Sequence, residues 1–270
     1  MAANIETANG KTANVNTLSG SRTALILVLV TIFMIPAAWF LRSGLNFIVL
    51  MVLMLVFIAT LGQHISGRFA GILINERKLM SLARFQLVLW TVILLSAYLA
   101  AAIARIKNGG IMDALGITLD SNLLGLMGIS TVSLVGSPLV QANKKAEAPD
   151  PDAVKKAGED LNEDQGEIAK NSQGVLYCNA DVKDAQLSDM FQGDEVGDTA
   201  FVNVAKVQMF FFTVIAALSY GMDLYKWIAA PNFIQYSGAF PLLSAGLIAI
   251  LGISHAGFLA NKATTHTPTK

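Results

Sequence analysis

Six apolar stretches, each about as long as a bilayer is thick, constrain this chain more than any other feature. They cover residues 23–41, 44–61, 82–106, 123–140, 204–224 and 241–259. At 1.5 Å rise per residue, about 20 helical residues cross the roughly 30 Å hydrocarbon core. Arg84, Arg105, Lys206 and Asp223 sit near the ends of their runs, and no central turn holds Asp, Glu, Lys or Arg. Backbone groups in lipid must be hydrogen-bonded within their own segment, and the alternation of a membrane β-barrel is missing, so each run reads as a helix. The first run follows Arg22 and contains Ala37-Ala38, features shared with signal peptides. Its length, and a second run a few residues later, favour an uncleaved helix. The expected fold is therefore all-α: a polytopic transmembrane protein with six spans. The remaining segments divide it into a disordered tail (1–20), a first membrane part (21–142), an insert (143–203), a second membrane part (204–262) and a disordered tail (263–270).

Charge is scarce and unevenly placed. Only 14% of the 270 residues are charged, against about 25% in soluble domains. Of the 19 Asp and Glu, 14 lie between Asn143 and Asn203, so a net charge of zero conceals an acidic insert in a basic chain. With both termini inside, 15 Lys and Arg fall on the cytoplasmic side and four, Arg42, Arg105, Lys107 and Lys226, on the other. That bias predicts cytoplasmic termini and a cytoplasmic insert. Residues 62–81 are expected to lie along the interface or to prolong the second helix. Residues 146–173, poor in apolar side chains, read as solvated and mobile. Residues 175–202 regain enough Leu, Val, Met and Phe for a short ordered lobe. The cluster Asp189, Asp194, Glu195 and Asp198 reads as a solvated acidic face, since its spacing is not that of a calcium loop.

The chain also resembles itself. Arg84-Phe85-Gln86 opens the third span, with Thr91 five and Tyr98 twelve residues after the Gln. Lys206-Val207-Gln208 opens the fifth, with Thr213 and Tyr220 at the same offsets. The next spans carry Leu126-Met127-Gly128-Ile129-Ser130 and Ile250-Leu251-Gly252-Ile253-Ser254, and a lysine closes each, Lys144 and Lys262. Four matched features in order predict a parallel internal repeat of helical hairpins, related by an axis along the membrane normal. Gln86 and Gln208 should then occupy equivalent positions facing neighbouring helices. Gly128, Gly252, Ala256 and Ala260 are expected to pack helices closely, the last three as a small-residue ladder. Small-residue helices would sit inside and bulky ones outside.

Gln86, Thr91, Gln208, Thr213, Ser130, Ser254 and His255 are the candidate interhelical contacts or pore-lining groups. His255 is the only histidine inside a span. An intramembrane ionisable side chain is a functional candidate, although its repeat counterpart is Thr131. No zinc-protease motif, phosphate-binding glycine loop or Cys/His cluster is present, which argues against an enzyme, a cofactor or a metal site. A basic nucleic-acid-binding patch is also missing. The lone Cys178 reads as an ordinary unpaired thiol.

Residues 75–86, Asn-Glu-Arg-Lys-Leu-Met-Ser-Leu-Ala-Arg-Phe-Gln, lead on to Trp90-Thr91 and later to the Leu-x-Gly-Ile-Ser type of motif. This pattern resembles a family of bacterial multi-pass inner-membrane proteins without established activity, except that Ala83 stands where Ser is usual. The resemblance covers about residues 70–140 and 190–262 and implies placement in a bacterial inner membrane. The expected function is a structural or partner-binding membrane component. It would contact lipid, a cytoplasmic protein through residues 146–203, and further copies of itself. The alternative is a channel or transporter with its path between the repeated hairpins.

Overall fold

A computed structural model describes residues 20–109, 114–233 and 237–269; the expected amino-terminal tail, 1–20, lies outside them except for Gly20, which opens the first helix. Six of its helices are long and apolar enough to cross a membrane: α1 (Gly20–Phe40), α2 (Leu45–Ser66), α3 (Leu82–Gly109), α4 (Ser121–Val140), α7 (Val204–Ala229) and α8 (Ala245–Ala263). Two short helices, α5 (Pro151–Leu161) and α6 (Gln165–Asn171), lie in the insert. Only isolated β-bridges join the described residues elsewhere. Many large apolar side chains point outward from the long helices, among them Phe33, Ile35, Val132, Ile215, Leu218 and Ile253. So much exposed apolar surface is tenable only in lipid, and the chain is a multi-pass membrane protein.

The observed helices match the sequence-derived spans to within a turn or so, and α2 does extend beyond its apolar run. The packing differs from expectation. α3 is the most buried span and touches α1, α2, α4 and α7, while α1 contributes only Thr23, Val30 and Ala38 to the interior. A bulky helix is therefore central, because Ala97, Ala100 and Ala101, all fully buried, let neighbours approach its far half. In its nearer half Trp90 meets Tyr220, with ring centroids 6.4 Å apart. α4 packs along α8 and α3 along α7, so α3, α4, α7 and α8 form a four-helix group.

The small-residue ladder does not pack helices. Ala256 and Ala260 are exposed, and a methyl group on Gly128 would meet nothing within 4 Å. A Cβ on Gly252 would meet Ile129 at 3.8 Å, an ordinary contact distance. The α4–α8 seam instead uses Leu123, Leu126, Ser130, Ser133 and Ser137 against Leu251, Ser254, His255, Phe258 and Lys262. These positions repeat at three- and four-residue steps, the helical period that aligns one face along another helix. Serines, not glycines, supply the small side chains.

The insert is folded. α5 is capped by Asp150, whose carboxylate accepts the Asp152 N–H, and carries Pro151 in its first turn. α6 is capped in the same way by Asp164. Val154, Ala157 and Ile168 pack on Val196, a small core that supports helices the polar composition alone would not. Residues 175–202 run through short 3-10 turns. Their Ala185 and Met190 join Ile74, Met80, Met209 and Phe258 in a second cluster. Residues 264–269, expected to be loose, pair with the insert: Asp150 N–H donates to the Pro268 carbonyl. Gly174, at φ +63°, turns the chain against Lys144, where a Cβ would fall about 2.1 Å from the Lys144 carbonyl oxygen. Together the insert, residues 67–81 and the carboxyl-terminal segment form a cap over one end of the helix group.

Candidate functional site

The cap meets the helix ends at a buried charge cluster. Asp194 lies at its centre. One carboxylate oxygen is 2.5 Å from an Arg77 guanidinium nitrogen, and the other is 3.2 Å from Lys206 Nζ and 3.1 Å from Lys262 Nζ. Arg77 also donates to the carbonyls of Asp194 (2.8 Å) and Tyr177 (3.2 Å), and Lys206 to that of Gln192 (2.7 Å). Beside this group Lys144 Nζ lies 2.5 Å from Glu195, which is wholly buried, and donates to the carbonyls of Lys262 and Thr264. The second Glu195 oxygen accepts the N–H groups of His266 (2.8 Å) and Thr267 (2.7 Å).

Each element brings its charge there for a local reason. Lys78 adopts φ +61°, which closes the turn between Ile74 and Met80 and projects Arg77 into the cap. Asn203 caps α7 by accepting the Lys206 N–H, and its amide donates to Asn261 of α8 at 2.6 Å. That bond brings the start of α7 beside the end of α8, and so brings Lys206 near Lys262. Burial alone would raise the Asp194 carboxyl, but Lys206, Lys262 and Arg77 outweigh it and hold the group well below the ordinary carboxylate range. Asp189 behaves oppositely. Burial pushes it up, and the N–H groups of Gln186 and Met80 that it accepts offset this only in part. The solvated acidic face expected over residues 189–198 is thus largely interior: Asp194 and Glu195 are buried against cations, and Asp189 against the Gln186 and Met80 N–H groups. Cys178, also in the cap, is 6% exposed, and burial raises its thiol.

Within the spans the candidate residues separate. Gln86 is fully buried and donates to Thr213 Oγ1 at 2.6 Å, joining α3 to α7. Gln208 is exposed, Thr91 half-buried, so the two Gln–Thr pairs do not share an environment. His255 Nδ1 lies 2.5 Å from Ser133 Oγ and ties α8 to α4. Ser130 and Ser254 are buried with hydroxyls lacking a partner among the described residues, as is the Gln86 carbonyl oxygen. Ser133, absent from the candidates, was signalled only by its three-residue step from Ser130.

The cluster residues Arg77, Lys144, Lys206, Lys262, Asp194 and Glu195 were visible one by one but not as a site. The available signal was complementarity: span-end cations on one side of the membrane, and most of the acids in the loop that joins those spans. The arrangement can bind, position and clamp. Among the described residues no group of three or more His, Cys, Asp or Glu is placed to hold a metal ion. Comparison of the chain with protein-family models, with curated proteins and with solved structures finds no significant match.

Proposed function

We propose that this chain is a structural or partner-binding component of a bacterial inner membrane, with both termini and the cap in the cytoplasm. The observation that carries the reading is the Asp194 cluster, which links the turn before α3, the start of α7 and the end of α8 to the insert. A carboxylate bound by three buried cations makes the cap a fixed platform, not a tether. The spent acids at 189–198 leave α5 and α6 as the partner-facing surface. Asp152, Glu159, Asp160, Glu163, Asp164 and Glu167 are all exposed there, which suits a partner with a basic surface. The excess of Lys and Arg on the cap side supports the orientation.

The hairpin repeat belongs to this reading as an origin. Tyr98 and Tyr220, at matched offsets, each donate to a carbonyl of the segment that follows their helix, Leu115 at 3.0 Å and Pro241 at 2.9 Å. The Gln positions have since diverged, one inside and one outside. Transport is the competing reading, favoured by the unpartnered Ser130, Ser254 and Gln86 oxygens, which water could satisfy.

A paired experiment separates the two. A photoreactive side chain at position 163 in native membranes should give a discrete protein adduct, lost when Glu159, Asp160 and Asp164 are replaced by Lys. Proteoliposomes of the pure chain should pass ions and protons no faster than empty vesicles. Flux through the protein that Gln86→Leu or His255→Phe abolishes would overturn the proposal.

A further inference from the structure

A second site lies beside the cluster, at the level where spans meet cap. A cavity of about 380 Å³ opens between the first turns of α3 and the last turns of α4. Its volume is in the range of about 300–1,000 Å³ common for small-ligand sites. Its two halves differ in chemistry. Toward the bilayer the walls are Leu87 and Val88 of α3 and Leu134 and Pro138 of α4. Toward the cap they are Arg77, Arg84, Lys262 and Gln141, with Glu76 at the rim.

Two features there call for an anion. Gln141 is 4% exposed, and its side-chain nitrogen has no hydrogen-bond partner among the described residues, a buried donor without an acceptor. The charges are also unbalanced. Arg77, Lys206 and Lys262 share one carboxylate, Asp194, and the one acid on the cavity wall, Glu76, is half-exposed and 3.6 Å from Arg84. Arg84 spends one nitrogen on the Ile74 carbonyl at 2.7 Å and keeps donors for another acceptor. The start of α3 adds the positive end of a 28-residue helix.

We propose that this cleft binds the phosphate of an anionic phospholipid, with Arg84 and Gln141 donating to the phosphodiester and an acyl chain along Leu87, Val88 and Leu134. The argument for a lipid over a soluble anion is continuity. The cationic half and the apolar half form one cavity, and α3 and α4 continue from it into the spans. A soluble phosphate would leave the apolar half unfilled.

The test uses the full chain in detergent micelles and nanodiscs. Native mass spectrometry should show one phosphatidylglycerol retained per chain through delipidation. Matched phosphatidylcholine carries the same phosphodiester but adds a trimethylammonium that Arg77, Arg84 and Lys262 repel, so it should be displaced at least about tenfold more readily. Arg84→Gln should remove most of that preference, and Gln141→Leu, which deletes a donor to the phosphodiester both lipids carry, should lower retention of both about tenfold. Leu134→Phe, which fills the apolar half without touching a charge, should lower retention of both lipids. Glycerol 3-phosphate, the headgroup chemistry without chains, should not compete at millimolar concentration. Equal retention of the two lipids by the unaltered chain overturns the proposal. So does a preference that survives Arg84→Gln, a retention that neither Gln141→Leu nor Leu134→Phe lowers, or effective competition by glycerol 3-phosphate, which would mark a soluble-anion site.

Discussion

Replacing Asp194 by Asn probes the clamp most directly. The amide keeps the shape of the side chain and removes its charge. It leaves Arg77, Lys206 and Lys262, with side-chain exposures of 5%, 6% and 9%, facing one another without a counter-ion. Removing one partner of a buried ion pair costs about 3–5 kcal/mol. If that cost falls on cap closure, the open fraction rises by about two to three and a half orders of magnitude. The chain carries its own reporter, since Cys178 is the only cysteine and is buried in the cap beside Tyr177, whose carbonyl accepts from Arg77. When reclosing outpaces alkylation, the maleimide reaction rate is proportional to the open population. Asp194→Asn should therefore accelerate modification of Cys178 at least a hundredfold, toward the rate of the unfolded thiol. Adding Lys262→Met to Asp194→Asn should recover part of the loss, because one uncompensated cation disappears. An acceleration under tenfold, about 1.4 kcal/mol, would refute the view that this cluster holds the cap.

Further outcomes follow from the same geometry. Because the Asp194 carboxyl is held below its unfolded value, its contribution is present above about pH 4 and fades as pH falls through the lower folded value. Amide hydrogen exchange in the cap, corrected for the intrinsic rate at each pH, should accordingly stay slow until strongly acid conditions. Asp189 has the opposite sign: its raised carboxyl favours the folded state below about pH 4, and that contribution is lost as pH rises through the folded value. Asp189→Asn, whose amide oxygen can still accept from Gln186 and Met80, should alter stability near neutrality by no more than about 1 kcal/mol, read by thermal unfolding in detergent. In a double-mutant cycle Gln86→Leu and Thr213→Val should couple by about 0.6–1.7 kcal/mol, while Gln208→Leu and Thr91→Val show no coupling beyond error. Truncation after Ala263 removes two N–H donors from Glu195 and a carbonyl from Lys144, and should speed Cys178 labelling at least tenfold. Unchanged labelling would mean that the tail only rests on the cap.

The sequence determined the spans, since their length and lack of charge are local properties and a bilayer gives such segments one stable conformation. It also held the raw materials of the clamp, the basic span ends and the acidic loop. Three matters depended on the tertiary structure. Which helix is central turned on the alanine face of α3, and the exposed Ala256–Ala260 ladder shows that small residues are permissive of close approach without dictating it. Whether the insert folds turned on Val154, Ala157, Ile168 and Val196 meeting across more than 40 residues, too sparse a set to register in any local window. Whether Asp194 and Glu195 are solvated turned on cations contributed from distant points of the chain, Arg77, Lys144, Lys206 and Lys262. Burial of a charge is decided by its partners in space, and composition along the chain does not reveal them.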